Sequence, residues 1–167
     1  MATRIGVMSD SHGVLPKQIY SFFKDTDIIL HAGDIGSADV IDELKSFKNT
    51  VAVYGNCDDR YMYDGIKNIS VINIEKIKIL MTHIGGYPGH YKKELLPVFE
   101  EIKPNIFICG HSHILKVMYD NDYHFLHINP GACGKQGFHN KCTLVRFVID
   151  NENIKDLDVL SFNKYQQ

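Results

Sequence analysis

RIGVMSDSHG (residues 4–13) passes from an apolar strand to a polar turn within a few positions, and it ends in Asp10 and His12. Residues 4–9 read as a short strand. The segment 11–24 leads from it into a helix with Ile19, Phe22 and Phe23 on one side. The same pattern returns at once. DIILHAGD (27–34) is a second strand that runs into Gly33-Asp34. It is followed by the helix SADVIDELKSF (37–47), with Ser37 as N-cap and Val40, Ile41, Leu44 and Phe47 at helical spacing. TVAVYGN (50–56) is a third strand and ends in Gly55-Asn56. Strand-helix-strand-helix-strand is the signature of a parallel sheet with right-handed crossovers.

Farther along, SVINI and KIKILMTH are separated by Glu75-Lys76, which suits a hairpin turn. A helix is expected over about Lys92–Glu101, then the strand NIFICGH. After His113 the chain reads mostly as strand, with turns at 120–122 and 150–153. Nothing resembles a linker, a repeat or a low-complexity tract. The expectation is α/β: two packed mixed β-sheets flanked by helices, in one domain over 1–167.

Composition restricts the function classes. The 167 residues suffice to bury roughly two-thirds of the unfolded surface around one core. A net charge of -2 argues against broad electrostatic binding to nucleic acid or an anionic membrane. The four cysteines (Cys57, Cys109, Cys133, Cys142) show no CxxC spacing, so free thiols in a reducing compartment are expected. The first residues turn polar too early for a signal peptide, and no apolar run approaches the ~20 residues of a membrane span. A cytoplasmic protein with no stable nucleic-acid partner is the expectation, with a homo-oligomer left open.

Chemistry-bearing residues gather where strands end. Asp10 and His12 follow the first strand, Asp34 the second and Asn56 the third; His83 closes KIKILMTH; His111 and His113 follow NIFIC in GHSH. Ligands of open α/β sheets bind outside the carboxyl ends of the strands, so these donors converge on one edge. Seven donors exceed the three or four that one catalytic metal takes. Shared between two ions, with one carboxylate bridging, they give about four each, a clamp that activates a water and stabilises the attacking and leaving oxygens of an in-line displacement. Oxygen and imidazole donors favour Mn²⁺, with Fe²⁺, Zn²⁺ and Ni²⁺ as alternatives.

DSH, GD, GNCD, TH and GHSH, in this order, closely resemble the signature of calcineurin-like metallophosphoesterases, and especially the compact YfcE-type phosphodiesterases. The resemblance runs from Arg4 through NPGACG (129–134) and into the strands beyond it. It implies a four-layer αββα sandwich. It implies a first metal on Asp10, His12, Asp34 and His113, and a second on Asn56, His83 and His111, bridged by Asp34. The implied activity is hydrolysis of small phosphodiesters by in-line attack of a metal-bridging hydroxide, with Asp34, Asn56, Cys57 and Asp58 as catalytic residues. A phosphomonoesterase or nucleotidase would use the same site. A non-catalytic scaffold, like the retromer subunit that shares the fold, is a further alternative.

Cys57 departs from the larger phosphatases of that family, which carry histidine there. The metal set is complete without it, so a neutral group beside the leaving oxygen, a weak donor or a spacer, is the expected role. Ser112 stands where many members have threonine. His31 reads as core packing, and His124 and His127 as structural. Lys135 and His139 read first as members of a solvated loop, with a place near the pocket as the alternative; His90 reads likewise on its glycine-rich loop, and Tyr87 and Tyr91 are weak candidates for shaping a pocket.

Overall fold

The computed structural model describes residues 2–59 and 65–165. The first sheet has the order β12-β11-β1-β2-β3. Strands β1 (Thr3–Met8), β2 (Ile28–His31) and β3 (Asn49–Ala52) are parallel, in register Met8↔His31↔Ala52. Strand β11 (Lys141–Asp150) joins β1 antiparallel, and β12 (Asn153–Asn163) closes the edge with a bulge between Arg146 and Val148. The second sheet has the order β4-β5-β8-β10-β9: β4 (Ile69–Ile74), β5 (Ile77–Thr82), β8 (Ile106–Ile108), β9 (Leu115–Asp120) and β10 (Phe125–Pro130). Its centre, β5-β8-β10, is parallel. A short hairpin, β6 (Gly86–Tyr87) and β7 (His90–Tyr91), stands apart.

Residue alternation builds the layers. Ile5, Val7, Ile28 and Leu30 of the first sheet meet Ile77, Ile79, Ile106 and Ile128 of the second in one isoleucine-rich slab. Met8 and Ile29, pointing the other way, pack on α1 (Gln18–Phe22) and α2 (Ala38–Phe47). Leu80 and Phe107 pack outward on Phe99 of α3 (Leu96–Ile102). Both faces of each central strand are therefore buried, as central parallel strands require. The order is helix, sheet, sheet, helix, the αββα sandwich. At Gly6 a Cβ would lie 2.9 Å from the Phe23 ring, so the bare backbone is what lets α1 sit this close.

The helix carrying Ile19 and Phe22 forms as expected, over Gln18–Phe22, after a turn with positive φ at His12 and Gly13 (48° and 85°). Two local expectations change. Ser37 occupies the N-cap position of α2, yet its side chain makes no capping hydrogen bond. The helix expected from Lys92 divides into a 3₁₀ turn, Lys93–Leu95, and α3, where Pro97 suits a first turn. The Glu75-Lys76 hairpin forms as expected, with Glu75 at φ 53°.

Candidate metal centre

All seven expected donors lie past strand ends at one edge of the sandwich, Asp10, His12, Asp34 and Asn56 from the first sheet and His83, His111 and His113 from the second. Five of them hold left-handed backbone: Asp10 (φ 56°), His12 (48°), Asp34 (52°), His111 (67°) and His113 (60°). Such conformations cost non-glycine residues on the order of 1 kcal/mol or more, and they persist where the surroundings over-determine them. Here the loops fold back on themselves: His12 N–H donates to the Asp34 carbonyl (3.0 Å), and Asp10 N–H to that of Gly33 (2.9 Å). Glycine is obligatory at two close approaches. A Cβ at Gly55 would stand 2.1 Å from Asp34 Oδ1, and one at Gly110 would stand 2.0 Å from Ser9 Oγ.

The donors form a bowl. Asp10, Asp34 and His83 are buried at its base; Asn56, Cys57 and His111 are exposed at its rim. Asp10, His12 and His113 form one set whose ligand atoms lie within 4.8 Å of one another, and Asp34, His83 and His111 form a second. A third set, His12, Asp34 and Cys57, shares His12 with the first and Asp34 with the second. His113 Nε2 lies 3.2 Å from Asp10 Oδ1, and His12 Nε2 lies 3.8 Å from Asp34 Oδ2.

The donor set fits cations. His83 Nδ1 is 2.8 Å from the Ala32 carbonyl, which can only accept. Nδ1 therefore carries the hydrogen, and Nε2 turns a lone pair toward Asn56 Oδ1 (3.1 Å) and Asp34 Oδ2 (3.3 Å). At Asp34 acceptor then faces acceptor, which a cation or an added proton stabilises. Asp10 Oδ1 and His12 Nε2 are likewise buried without hydrogen-bond partners. Burial pushes the His83 ring down, but the Asp34 hydrogen bond and the charges of Asp10 and Asp34 outweigh it and hold the ring above its ordinary pKa. Burial acts upward on Asp34, but hydrogen bonds from His83 and the Cys57 amide hold its carboxyl well below the usual range.

Residues 3–152 match the family model described as the calcineurin-like phosphoesterase superfamily domain. The chain belongs to this superfamily. A probable metallophosphoesterase of Methanocaldococcus jannaschii is 32% identical over 134 residues, 77% of this chain and 67% of that protein. A solved archaeal phosphodiesterase superimposes with a TM-score of 0.74 at 26% identity, covering 96% of this chain and 100% of that one. Vps29 of Entamoeba histolytica, solved with zinc, has a TM-score of 0.65 at 18% identity over 96% of this chain and 100% of its own, a likeness of fold alone. This calcineurin-like protein is thus a metal-dependent phosphoesterase by family.

Around the centre, several residues acquire definite places. The exposed Cys57 donates its backbone N–H to Asp34 Oδ1 (2.9 Å). Partial burial, the hydrogen bond to Asp34 and nearby carboxylates push its thiol up to about 11, so in the metal-free protein it stays protonated at neutral pH. Asp58, expected among the catalytic residues, spends its carboxylate on three backbone amides: Ile35 (3.0 Å), Gly36 (2.8 Å) and Gly55 (2.8 Å). It staples the loop after β2 to the loop after β3.

Sequence reasoning missed two other supports. His31 is more than packing. Its Nδ1 accepts from Gly33 N–H (3.2 Å), so Nε2 donates to Ser11 Oγ (2.8 Å), which donates onward to the Ile35 carbonyl (3.0 Å). Asn129 holds the GHSH loop through Gly110 O (2.8 Å) and Ser112 Oγ (3.0 Å), and its NPG context was the available signal. His139 packs on His113, with ring centroids 5.2 Å apart, while its Nε2 donates to Gly134 O (2.9 Å). Lys135, His90 and His124 are exposed, and Tyr91 belongs to an aromatic cluster with Phe99, Phe107 and Phe125.

Proposed function

We propose that this protein is a dimetal phosphodiesterase acting on small phosphodiesters. The observation that carries the reading is the pair of donor sets joined through His12 and Asp34, with buried acceptors left without partners. Asp10, His12, Asp34 and His113 would hold one ion; Asp34, Asn56, His83 and His111 would hold the other. Two divalent cations, Mn²⁺ foremost by donor type, supply water activation and charge neutralisation at phosphorus when bound. The chain's own residues do the rest. Asp34 sets the spacing, the Ala32 carbonyl orients His83, and Asp58 positions the Asn56-Cys57 turn. Likeness to the archaeal phosphodiesterase supports diesters over monoesters. Four free thiols fit a reducing compartment, the cytoplasm. Among the described residues no helix is long and apolar enough to cross a membrane.

Metal analysis after saturation with Mn²⁺ should give two ions per chain, and chelation should remove turnover of bis-aryl phosphodiesters. One ion with full activity would sink the two-metal reading. Two ions with no turnover of diesters, monoesters or cyclic nucleotides would point to the scaffold alternative.

A protonated thiol at the rim is a weak acid and suits leaving groups that need little help. Cys57→Ala is expected to keep most activity on aryl diesters, lose more on alkyl diesters, and retain two metals. Cys57→His should raise alkyl turnover relative to aryl. The ratio of kcat/KM between the two substrate types is the measurement. Equal loss of both in Cys57→Ala, with metals intact, would make the thiol essential chemistry.

A further inference from the structure

Beside His111 a cavity of about 500 Å³ opens between the β6–β7 hairpin and strands β9 and β10. Its walls include Ile84, Tyr87 and Ile114, with Tyr87 and Ile114 among the exposed large hydrophobic residues. The Lys116 ammonium lies 5.4 Å over the Tyr87 ring. Fully buried His127 lines the same cavity, and its Nε2 has no hydrogen-bond partner. The lining is mostly apolar in area, with Lys92, Ser112 and Asn129 as further polar members, and a buried nitrogen left unpaired there is costly to the folded protein alone. A ligand that brings a hydrogen-bond donor would satisfy it.

Hydrogen bonds on the far side of the ring define that group. Tyr91 donates its hydroxyl hydrogen to Asp120 Oδ2 (2.9 Å), leaving the phenol oxygen to accept from His127 Nδ1 at 3.5 Å. Nδ1 thus carries the imidazole hydrogen, and Nε2 is a bare acceptor. Burial, then the charge of Lys116, pushes this ring down to about 4, so it is neutral near pH 7. Tyr91 and Phe107 flank it, each with its ring centroid 5.8 Å away, and hold it in place. A purely aliphatic substituent would fill the apolar walls but leave Nε2 unpaired. A ring bearing an N–H satisfies both.

We propose that this cavity is the specificity pocket of the centre, taking a flat ring-bearing ester substituent whose amino or ring N–H group donates to His127 Nε2. The proposal rests on the phosphodiesterase reading for its catalytic consequence, but not for binding. His127 is a positioning and recognition residue here, outside the metal donors.

The test pairs binding with turnover on the Mn²⁺-loaded protein. Methyl-, phenyl- and the 3- and 4-aminophenylphosphonates are titrated calorimetrically. The 4-nitrophenyl diesters carrying the same second substituents are assayed for kcat/KM. Phenyl should exceed methyl by about 10-fold through apolar contact, and the better amino isomer should exceed phenyl by roughly 5-fold through one hydrogen bond. His127→Phe should keep the first preference and remove the second. Tyr87→Ala, at the exposed mouth and outside the core, should reduce the first. An amino advantage that survives His127→Phe, or methyl binding as tightly as phenyl, overturns the pocket. The predicted order of binding with no ester hydrolysed would instead overturn the phosphodiesterase reading and leave the pocket standing.

Discussion

Asp34→Asn should lower kcat/KM about a thousand-fold or more, roughly 4 kcal/mol of transition-state stabilisation. The side chain is 4% exposed, so solvent cannot replace what the change removes. Its Oδ2 faces His83 Nε2 at 3.3 Å and His12 Nε2 at 3.8 Å, while Oδ1 accepts the Cys57 amide. An amide supplies one acceptor instead of two and no charge, and its N–H₂ would face either the Cys57 N–H or the lone pair that His83 needs for a ligand. Bound Mn²⁺ should therefore drop below two per chain along with the rate. Asp58→Asn provides the contrast. It weakens three amide contacts and should cost about 1–3 kcal/mol of stability while keeping two metals and most of the rate. Asp58→Asn abolishing turnover in a folded, two-metal protein would return Asp58 to the reacting groups.

Acid should destabilise the metal-free protein between about pH 6.5 and pH 4, through histidines buried as neutral rings. His31 and His127 both fall to about 4 from an ordinary 6.5, burial being the leading cause in each. The unfolded chain therefore takes up these protons first. Stability is full above pH 6.5, declines as pH falls, and levels off near pH 4, by on the order of 3 kcal/mol per histidine at the limit. His83 runs the other way, because its raised pKa adds stability below 6.5 that is lost as pH rises through its folded value. Two lowered rings outweigh one raised ring, and His111 and His139 lean with the majority. Urea unfolding from pH 7.5 to 4.5 measures the slope. His127→Phe should take up about one proton fewer on unfolding near pH 5.5, and an unchanged slope would remove His127 from the account.

Much of this was legible in the sequence because local and long-range signals agreed. Three short apolar runs, each followed by an Asp or Asn, marked both the parallel sheet and the edge where the candidate donors gather. Glu75-Lys76 between two alternating runs marked its hairpin. The failures came where a tertiary demand overrode local propensity. The left-handed backbone at Asp10, His12 and Asp34 leaves no mark in the local apolar pattern. The two-residue strands β6 and β7 are too short to carry any period. Asp58 reads as one more acid in GNCDD, because the amides it holds belong to Ile35 and Gly36, more than twenty positions away. His127 alternates like any strand residue, and its unpaired nitrogen becomes visible only when the 86–91 hairpin is set against β9 and β10.

The donors come from both sheets, and this bears on how the molecule holds together. At the far edge the Glu75-Lys76 turn is tied to the other sheet through Thr3, Asn151 and Glu152, and between the two edges the sheets meet in the isoleucine slab, whose contacts are not directional. At the ligand edge, Asp10, His12, Asp34 and Asn56 belong to one leaf and His83, His111 and His113 to the other. Divalent ions there would act as a clasp on a two-leaved book. Removing them should loosen that edge first, seen as faster amide hydrogen exchange at residues 31–36 and 109–113 while the far edge near Ile74 and Ile149 stays protected.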